Sequence, residues 1–242
     1  MRLRFIYALF FTVALSAHSQ TTADPEPGLP KDPREILAAA APFYDFTSPE
    51  VKPWYLKATY QLYDQDGKPT EKGSYERWWA SPKVFRESWT RPGATLTDWH
   101  TAEGKHLFKA TGKRLKYFER QLQPALFSPL RGEVVLNSEE MRLALEMKSL
   151  KGAEFPCIFF APMKAIQPQL PPFSLGPTYC FDEHLPVLRA RFDSDILTTE
   201  FNNIAKVQGR FLAREILILA QVESFFLPKW RRSVGWTHPI LC

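Results

Sequence analysis

Apolar and polar residues alternate with a period of two through Trp54, Leu56, Ala58, Tyr60 and Leu62, with Lys57, Thr59 and Gln61 between them. That is the pattern of a half-buried strand. Asp64 to Gly67 turns the chain, and a second alternating stretch from about Thr70 to Ala80 sets Gly73, Tyr75, Arg77 and Trp79 against Ser74, Glu76 and Trp78. After Ser81-Pro82-Lys83 a third stretch, Val84 to Thr90, points Phe85, Glu87 and Trp89 the same way, and Arg91-Pro92-Gly93 closes it. The segments "ATLTDWHT" and "KHLFKATG" continue as a fourth and fifth strand around Ala102 to Lys105. Connections this short join antiparallel neighbours, because parallel neighbours need long crossovers. The expected structure is an antiparallel meander.

Helices are expected on both sides of it. Asp32 and Pro33 form an N-cap followed by an N1 proline, and "REILAAAAPF" supplies helix formers until Pro42. Beyond the meander, "RLKYFERQLQPALFSPL" and "NSEEMRLALEMKSLKG" also read as helices. The latter has Asn137 or Ser138 as cap, Glu139 and Glu140 in its first turn, Lys148 and Lys151 in its last, and Gly152 beyond. "FPCIFFAPM" reads as a buried strand, "QPQLPPFSLGP" as a loop, and "TYCFD", "PVLRARFD" and "ILTTEFNNIAKVQGRFLAREILILA" as further short strands. The order helix, strands, helices, strands fits a single domain over residues 33–227. From Pro228 onward "PKWRRSVGWTHPILC" has two prolines, clustered bases and no period, so residues 228–242 are expected to be an irregular tail.

The first residues bear on location. Arg2 and Arg4 precede an apolar run from Phe5 to Ala17 and the small-residue pattern Ala17-His18-Ser19, so residues 1–19 are expected to be a cleaved secretory signal. The run is shorter than the roughly 20 residues a membrane-crossing helix needs. Residues 20–32, "QTTADPEPGLPKD", read as a flexible leader. An exported protein of the periplasm, with no stable transmembrane segment after cleavage, is expected. The formal net charge of +5 is mild, and Glu71, Glu76 and Glu87 interleave with Lys72, Arg77 and Arg86 as on a solvated sheet surface. A nucleic-acid partner is not expected, because such binders gather their bases on one face.

Candidate chemistry is sparse. Adjacent Trp78 and Trp79 must face opposite ways in a strand, so packing accounts for most of the tryptophans. Strand parity makes Tyr60, Tyr75, Trp79, Phe85 and Trp89 the candidate ligand groove. In an exported protein Cys157 and Cys180 are expected to pair, closing a loop of ~24 residues and contributing about 3 kcal/mol in the chain-entropy model. The alternative is that Cys157, between Pro156 and Ile158, is a buried apolar thiol; Cys242 is left over. His100 and His106 flank a hairpin turn, but a metal site needs a third ligand and Glu103 sits at the exposed tip, so no metal is expected. No nucleophile elbow, phosphate loop or paired-cysteine motif is present. Asp64 and Asp66, and Asp193 and Asp195, fall at turns, where Asp is favoured for its backbone hydrogen bonds. The expectation is a protein that is not an enzyme and uses no cofactor. The enzymatic alternative is a hydrolase built on the histidines and carboxylates near His100 and His184.

The stretch from "ILAAAAPFYDFTSPEVKPWYLKATYQLYDQDGKP" through "GSYERWWASPKVFRESWTRPGATLTDWHTAEGKHLFKATG", with "PTYCFDEHLPVLRARF" and "TTEFNNIAKVQGRFLAREI" later, resembles the N-terminal extracytoplasmic region of bacterial TonB-family (energy transducer TonB) proteins. The resemblance covers roughly Ile36 to Ile216. That region is in turn similar to the LolA/LolB-like half-barrel of lipoprotein carriers and receptors. The resemblance implies an α+β fold, a curved antiparallel half-barrel covered on one side by helices. It also implies a cell-envelope binding or docking module, with a lipid or acyl chain or an envelope protein as partner. A structural interaction domain with a filled interior is the alternative. The chain departs from the family in lacking the TonB C-terminal domain that follows the half-barrel there, which puts an energy-transducing role in doubt.

Overall fold

The computed structural model describes residues 28–64, 66–130, 141–162, 176–193, 197–220 and 231–236. The expected signal, most of the expected leader, the Asn137 and Ser138 cap candidates, most of the Pro-rich stretch, Asp195 and Cys242 lie outside the described residues. Helix α1 (Pro33–Ala40) starts where its sequence signals place it: Asp32 accepts the Arg34 N–H at 2.7 Å and Pro33 opens the first turn. Its buried side, Ile36, Leu37 and Ala40, faces the core, and a 3-10 turn over Ala41–Phe43 continues it.

The meander follows as β1 (Trp54–Tyr63), β2 (Pro69–Ser81), β3 (Val84–Arg91), β4 (Ala94–His100) and β5 (His106–Thr111). Helix α2 (Lys116–Phe127) comes next. A second run of hairpins comprises β6 (Met141–Leu150), β7 (Ala153–Pro162), β8 (Thr178–Phe181), β9 (Leu188–Asp193), β10 (Leu197–Val207) and β11 (Arg210–Ala220), and β12 (Arg231–Trp236) ends the described chain. All form one 12-stranded antiparallel sheet in the order β5-β4-β3-β2-β1-β12-β11-β10-β9-β8-β7-β6. It is a curved α+β half-barrel whose inner face is covered by the helices.

Two expectations are corrected. The stretch read as a second long helix, "MRLALEMKSL", is strand β6, paired along its whole length with β7 from Met141 opposite Pro162 to Leu150 opposite Ala153. Its residues are good helix formers, but they also alternate with period two. Lys151 and Gly152, both with positive φ (52° and 86°), make the two-residue turn that closes a hairpin. Pairing along the full strand outweighs helix propensity, which is a weak preference.

The tail expected to be irregular contains β12, which inserts between β1 and β11: Tyr60 lies opposite Val234, and Val234 opposite Ile216. Its sequence carries little strand signal because a strand hydrogen-bonded on both sides draws its stability from its neighbours. Among the described residues every other neighbouring pair in the sheet is consecutive in sequence, so within the sheet β12 is the strand that joins the first meander to the second.

Cys157 and Cys180 stand opposite each other on β7 and β8 and form a disulfide. Both are fully buried, beside Ala190, Phe155 and Phe192.

A chain ending at Trp230 is expected to melt roughly 5 °C or more below the full chain by calorimetry, since a domain of this size shifts about 2–4 °C per kcal/mol. An unchanged melting temperature would show that β12 contributes nothing to the fold. Digestion without reductant is expected to yield the peptides of Cys157 and Cys180 linked, and replacing both by Ala should lower stability by roughly 2–4 kcal/mol. Free thiols at both positions in protein purified without reductant would refute the pairing.

Candidate functional site

The inner face of β1 to β4 carries the five residues of the expected groove, and the structure brings them together. Tyr60, Tyr75, Trp79 and Trp89 are buried, while Phe85 is partly buried at the edge of the same cluster. Tyr75 and Trp89 meet with ring centroids 4.3 Å apart, and Trp79 stacks on Trp54 at 5.9 Å. Tyr60 lies over Gly73 on the neighbouring strand, where a Cβ would collide with its ring, so the glycine is what lets Tyr60 lie flat.

Helix α2 fills the concavity above them. Its buried side, Phe118, Leu122, Ala125, Leu126 and Phe127, packs on this face: Phe118 is 4.8 Å from Tyr60 and 5.9 Å from Trp89, and Phe127 is 5.0 Å from Trp54. Glu119 reaches back to accept the Leu115 N–H at 3.2 Å and pairs with Arg114 at 2.6 Å, serving the helix start that has no side-chain cap. Pro124 removes one hydrogen bond inside the helix, and the Phe127 carbonyl is taken up by Phe46 N–H at 3.0 Å.

Beneath α2 lies a buried polar cluster. Arg77 pairs with Glu87 on β3 at 2.8 Å, both side chains being under 10% exposed, and its guanidinium lies 4.7 Å from the rings of both Phe85 and Phe127. Gln123 of α2 donates to the second Glu87 oxygen. Burial pushes the Glu87 carboxyl above its ordinary value, against the pull of Arg77. Burial likewise raises Tyr75 far above the usual phenol range and Tyr60 to about 12. Arg77 and Glu87, expected on a solvated surface from their charge, are buried; the strand parity that sets them beside Tyr75, Trp79, Phe85 and Trp89 prevails over the charge.

The outer face carries Tyr55, Trp78 and Trp99. Trp78 packs on Tyr55 at 4.8 Å, and Arg86 lies between Trp78 and Trp99 at 4.6 and 4.9 Å. Charge and tryptophan alternate in this stretch because the guanidinium groups stack on the rings.

A small pocket of about 20 Å³ opens beside the start of α2. Tyr60, Trp89, Leu96, Leu115 and Phe118 form its apolar wall, and Arg91, Lys113, Arg114 and Glu119 its polar side. Arg91 binds Glu71 at 2.8 Å and donates to the Lys113 carbonyl, tying the loop before α2 to the sheet.

Nearer the β5 edge, on the same face, His100 and His106 stand opposite each other with rings 4.5 Å apart. Their Nε2 atoms lie 3.3 and 2.6 Å from one oxygen of Asp98. Asp98, two residues before His100, supplies the third group that Glu103 does not. His184 lies elsewhere, exposed between β8 and β9 beside Glu183, so the two histidines of the hydrolase alternative are not brought together in the sheet order. Asp64 accepts the N–H groups of Asp66 and Lys68 in its turn, and Asp193 pairs with Arg191 at 2.7 Å, so both have structural employment.

No protein-family model matches the chain, and no curated protein matches it. Among solved structures it is similar to a DUF1329 family protein from Desulfovibrio piger, at 12% identity and TM-score 0.46, over 85% of this chain and 90% of that one. It is also similar to a domain from Vibrio parahaemolyticus named for outer membrane lipoprotein sorting, at 8% identity and TM-score 0.47, over 86% and 91%. A LolA superfamily protein from Nitrosomonas europaea shows 9% identity and TM-score 0.46, over 86% and 93%. Likeness at these values concerns the chain path and says nothing of ligand or activity. None of the three is named as a TonB protein. Among the described residues no helix is long and apolar enough to cross a membrane.

The Arg77 and Glu87 pair yields a test. Glu87→Gln or Arg77→Met alone is expected to cost about 3 kcal/mol, since each leaves a buried charge without its partner. Arg77→Met combined with Glu87→Leu should cost less than either single change in denaturant titration. Because the folded-state pKa of Glu87 lies above the ordinary 4.5, the native state holds this proton longer than the unfolded chain does. Its contribution is therefore full below that value and is lost as pH rises through the folded pKa. Glu87→Gln should flatten that part of the stability profile; an unchanged slope would assign it to other groups.

Proposed function

We propose that the protein is a non-enzymatic binding module of the bacterial cell envelope, exported to the periplasm. In this reading it holds the apolar part of a lipid or acyl chain against the concave aromatic face, with the anionic end of the molecule at Lys113 and Arg114. The observation that carries it is the continuity between pocket and face: Tyr60, Trp89 and Phe118 belong to both, and basic groups border them on one side. Ligand sites of this kind are mostly apolar with a few placed polar groups.

The pocket has room for about one water, so an acyl chain enters only when the first turn of α2 swings outward. That turn is held by the Arg91 contact with Lys113, the Arg114 and Glu119 pair, and Phe118. The relationship to TonB-family extracytoplasmic regions, which rests on the wording of Ile36 to Ile216, belongs to the same proposal. The tight seating of α2 favours a second reading, an interaction domain with a filled interior that binds envelope proteins by its outer surface.

Titration with a fluorescent fatty acid and with neutral N-phenylnaphthylamine separates the two. Saturable binding of both is expected, with Lys113→Glu weakening the fatty acid about fivefold, or about 1 kcal/mol, and leaving the neutral probe unchanged. A folded wild-type protein that binds neither would overturn the carrier reading in favour of the filled interior.

A further inference from the structure

We propose that Asp98, His100 and His106 form a binding site for one divalent transition-metal ion, with zinc the best fit. Asp98 and His100 are two apart on β4 and so share a face, and His106 of β5 lies directly opposite His100 across the Thr101 to Lys105 turn. Strand register therefore delivers two imidazoles and one carboxylate to one spot, with all three donor atoms within 4.8 Å of one another. Both histidines present Nε2 to the same Asp98 oxygen, at 3.3 and 2.6 Å. Ligands around a tetrahedral zinc at about 2.0 Å are spaced about 3.3 Å apart. The His100 and Asp98 spacing already matches, and His106 needs to withdraw by less than 1 Å.

The His100 ring is held in advance. The face of His100 stacks on Phe85 at 4.1 Å, with 18° between planes, and on His106 at 4.5 Å, with 28° between planes. Two imidazole nitrogens and one carboxylate suit zinc, copper or nickel, whereas magnesium and calcium require oxygen ligands. Three protein ligands leave a coordination position for water or an anionic group. The side chains of Asp98, His100 and His106 are 26%, 35% and 53% exposed, so an ion reaches them directly from solvent. Glu87, opposite Asp98 on β3, is already held by Arg77 and Gln123, which leaves Asp98 as the carboxylate for the ion. The plain alternative is an Asp98 and His106 hydrogen bond with no affinity for metal.

Zinc titration of the untagged protein by calorimetry, with cobalt absorption as a second readout, decides between them. One ion per chain is expected at micromolar affinity or better, with the visible absorption of cobalt at low coordination number. His100→Ala, His106→Ala and Asp98→Asn should each weaken zinc at least ~30-fold, about 2 kcal/mol, while His184→Ala leaves it unchanged. Zinc should raise the melting temperature of the wild type but not of the variants, and circular dichroism of the variants confirms that they fold. Zinc binding that is absent, or unaltered by the three substitutions, overturns the site.

Discussion

The apolar side of α2 against the inner face of β1 to β4 is the contact on which this half of the molecule depends. A sheet of this kind offers one face to the core, and that face must be covered. Phe118, Leu122, Leu126 and Phe127 meet Trp54, Tyr60, Tyr75 and Trp89 there. Each fully buried side chain of this size contributes roughly 1.5–3 kcal/mol. The dependence runs both ways, because a short helix with an internal proline and no side-chain N-cap is not stable alone. The other half is covered differently. Tyr44 accepts the Leu188 N–H at 2.5 Å, Phe43 packs on Phe211 at 5.1 Å, and Gln208 binds the backbone of Lys52 in both directions, so the segment after α1 is pinned to β9 and the β10–β11 turn.

Polarity along the inner face follows this cover. Directly under α2, Arg77 and Glu87 are neutralised by each other, by Gln123 and by flanking aromatic faces. Such an arrangement is tolerated in a dry interior because every charge has a partner, and it pins the register of β2 on β3 as well as the seat of α2. Toward β5, among the described residues, the sheet is exposed. There the face turns to Asp98, His100 and His106, and Phe108, opposite Asp98, is 46% exposed. The half-barrel thus grades from a packed core to an accessible polar rim, and a ligand-binding and a metal-binding reading concern different parts of one surface.

Much of this was legible in the chain. Alternation from Trp54 to Thr90, with short Pro-Gly and Asp-Gly turns between the segments, left antiparallel pairing as the short-loop solution, and Asp32-Pro33 marked the start of α1. The same parity gathered Tyr60, Tyr75, Trp79, Phe85 and Trp89 on one face, because side-chain direction in a strand is a local property. It also held Arg77 and Glu87 on that face, although their charge argued for solvent.

What only the tertiary structure decided is whatever depends on partners distant in sequence. "MRLALEMKSL" carries helix propensity and strand alternation together, and pairing with β7 settles which prevails. "RRSVGW" has little pattern of its own and becomes a strand because β1 and β11 leave backbone donors and acceptors on either side of it. Whether the aromatic face is open or filled depends on where α2 comes to rest, and no local period records that. The three metal-ligand candidates meet for a mixed reason: Asp98 and His100 share a face by sequence spacing alone, but His106 joins them only through the register of β4 on β5.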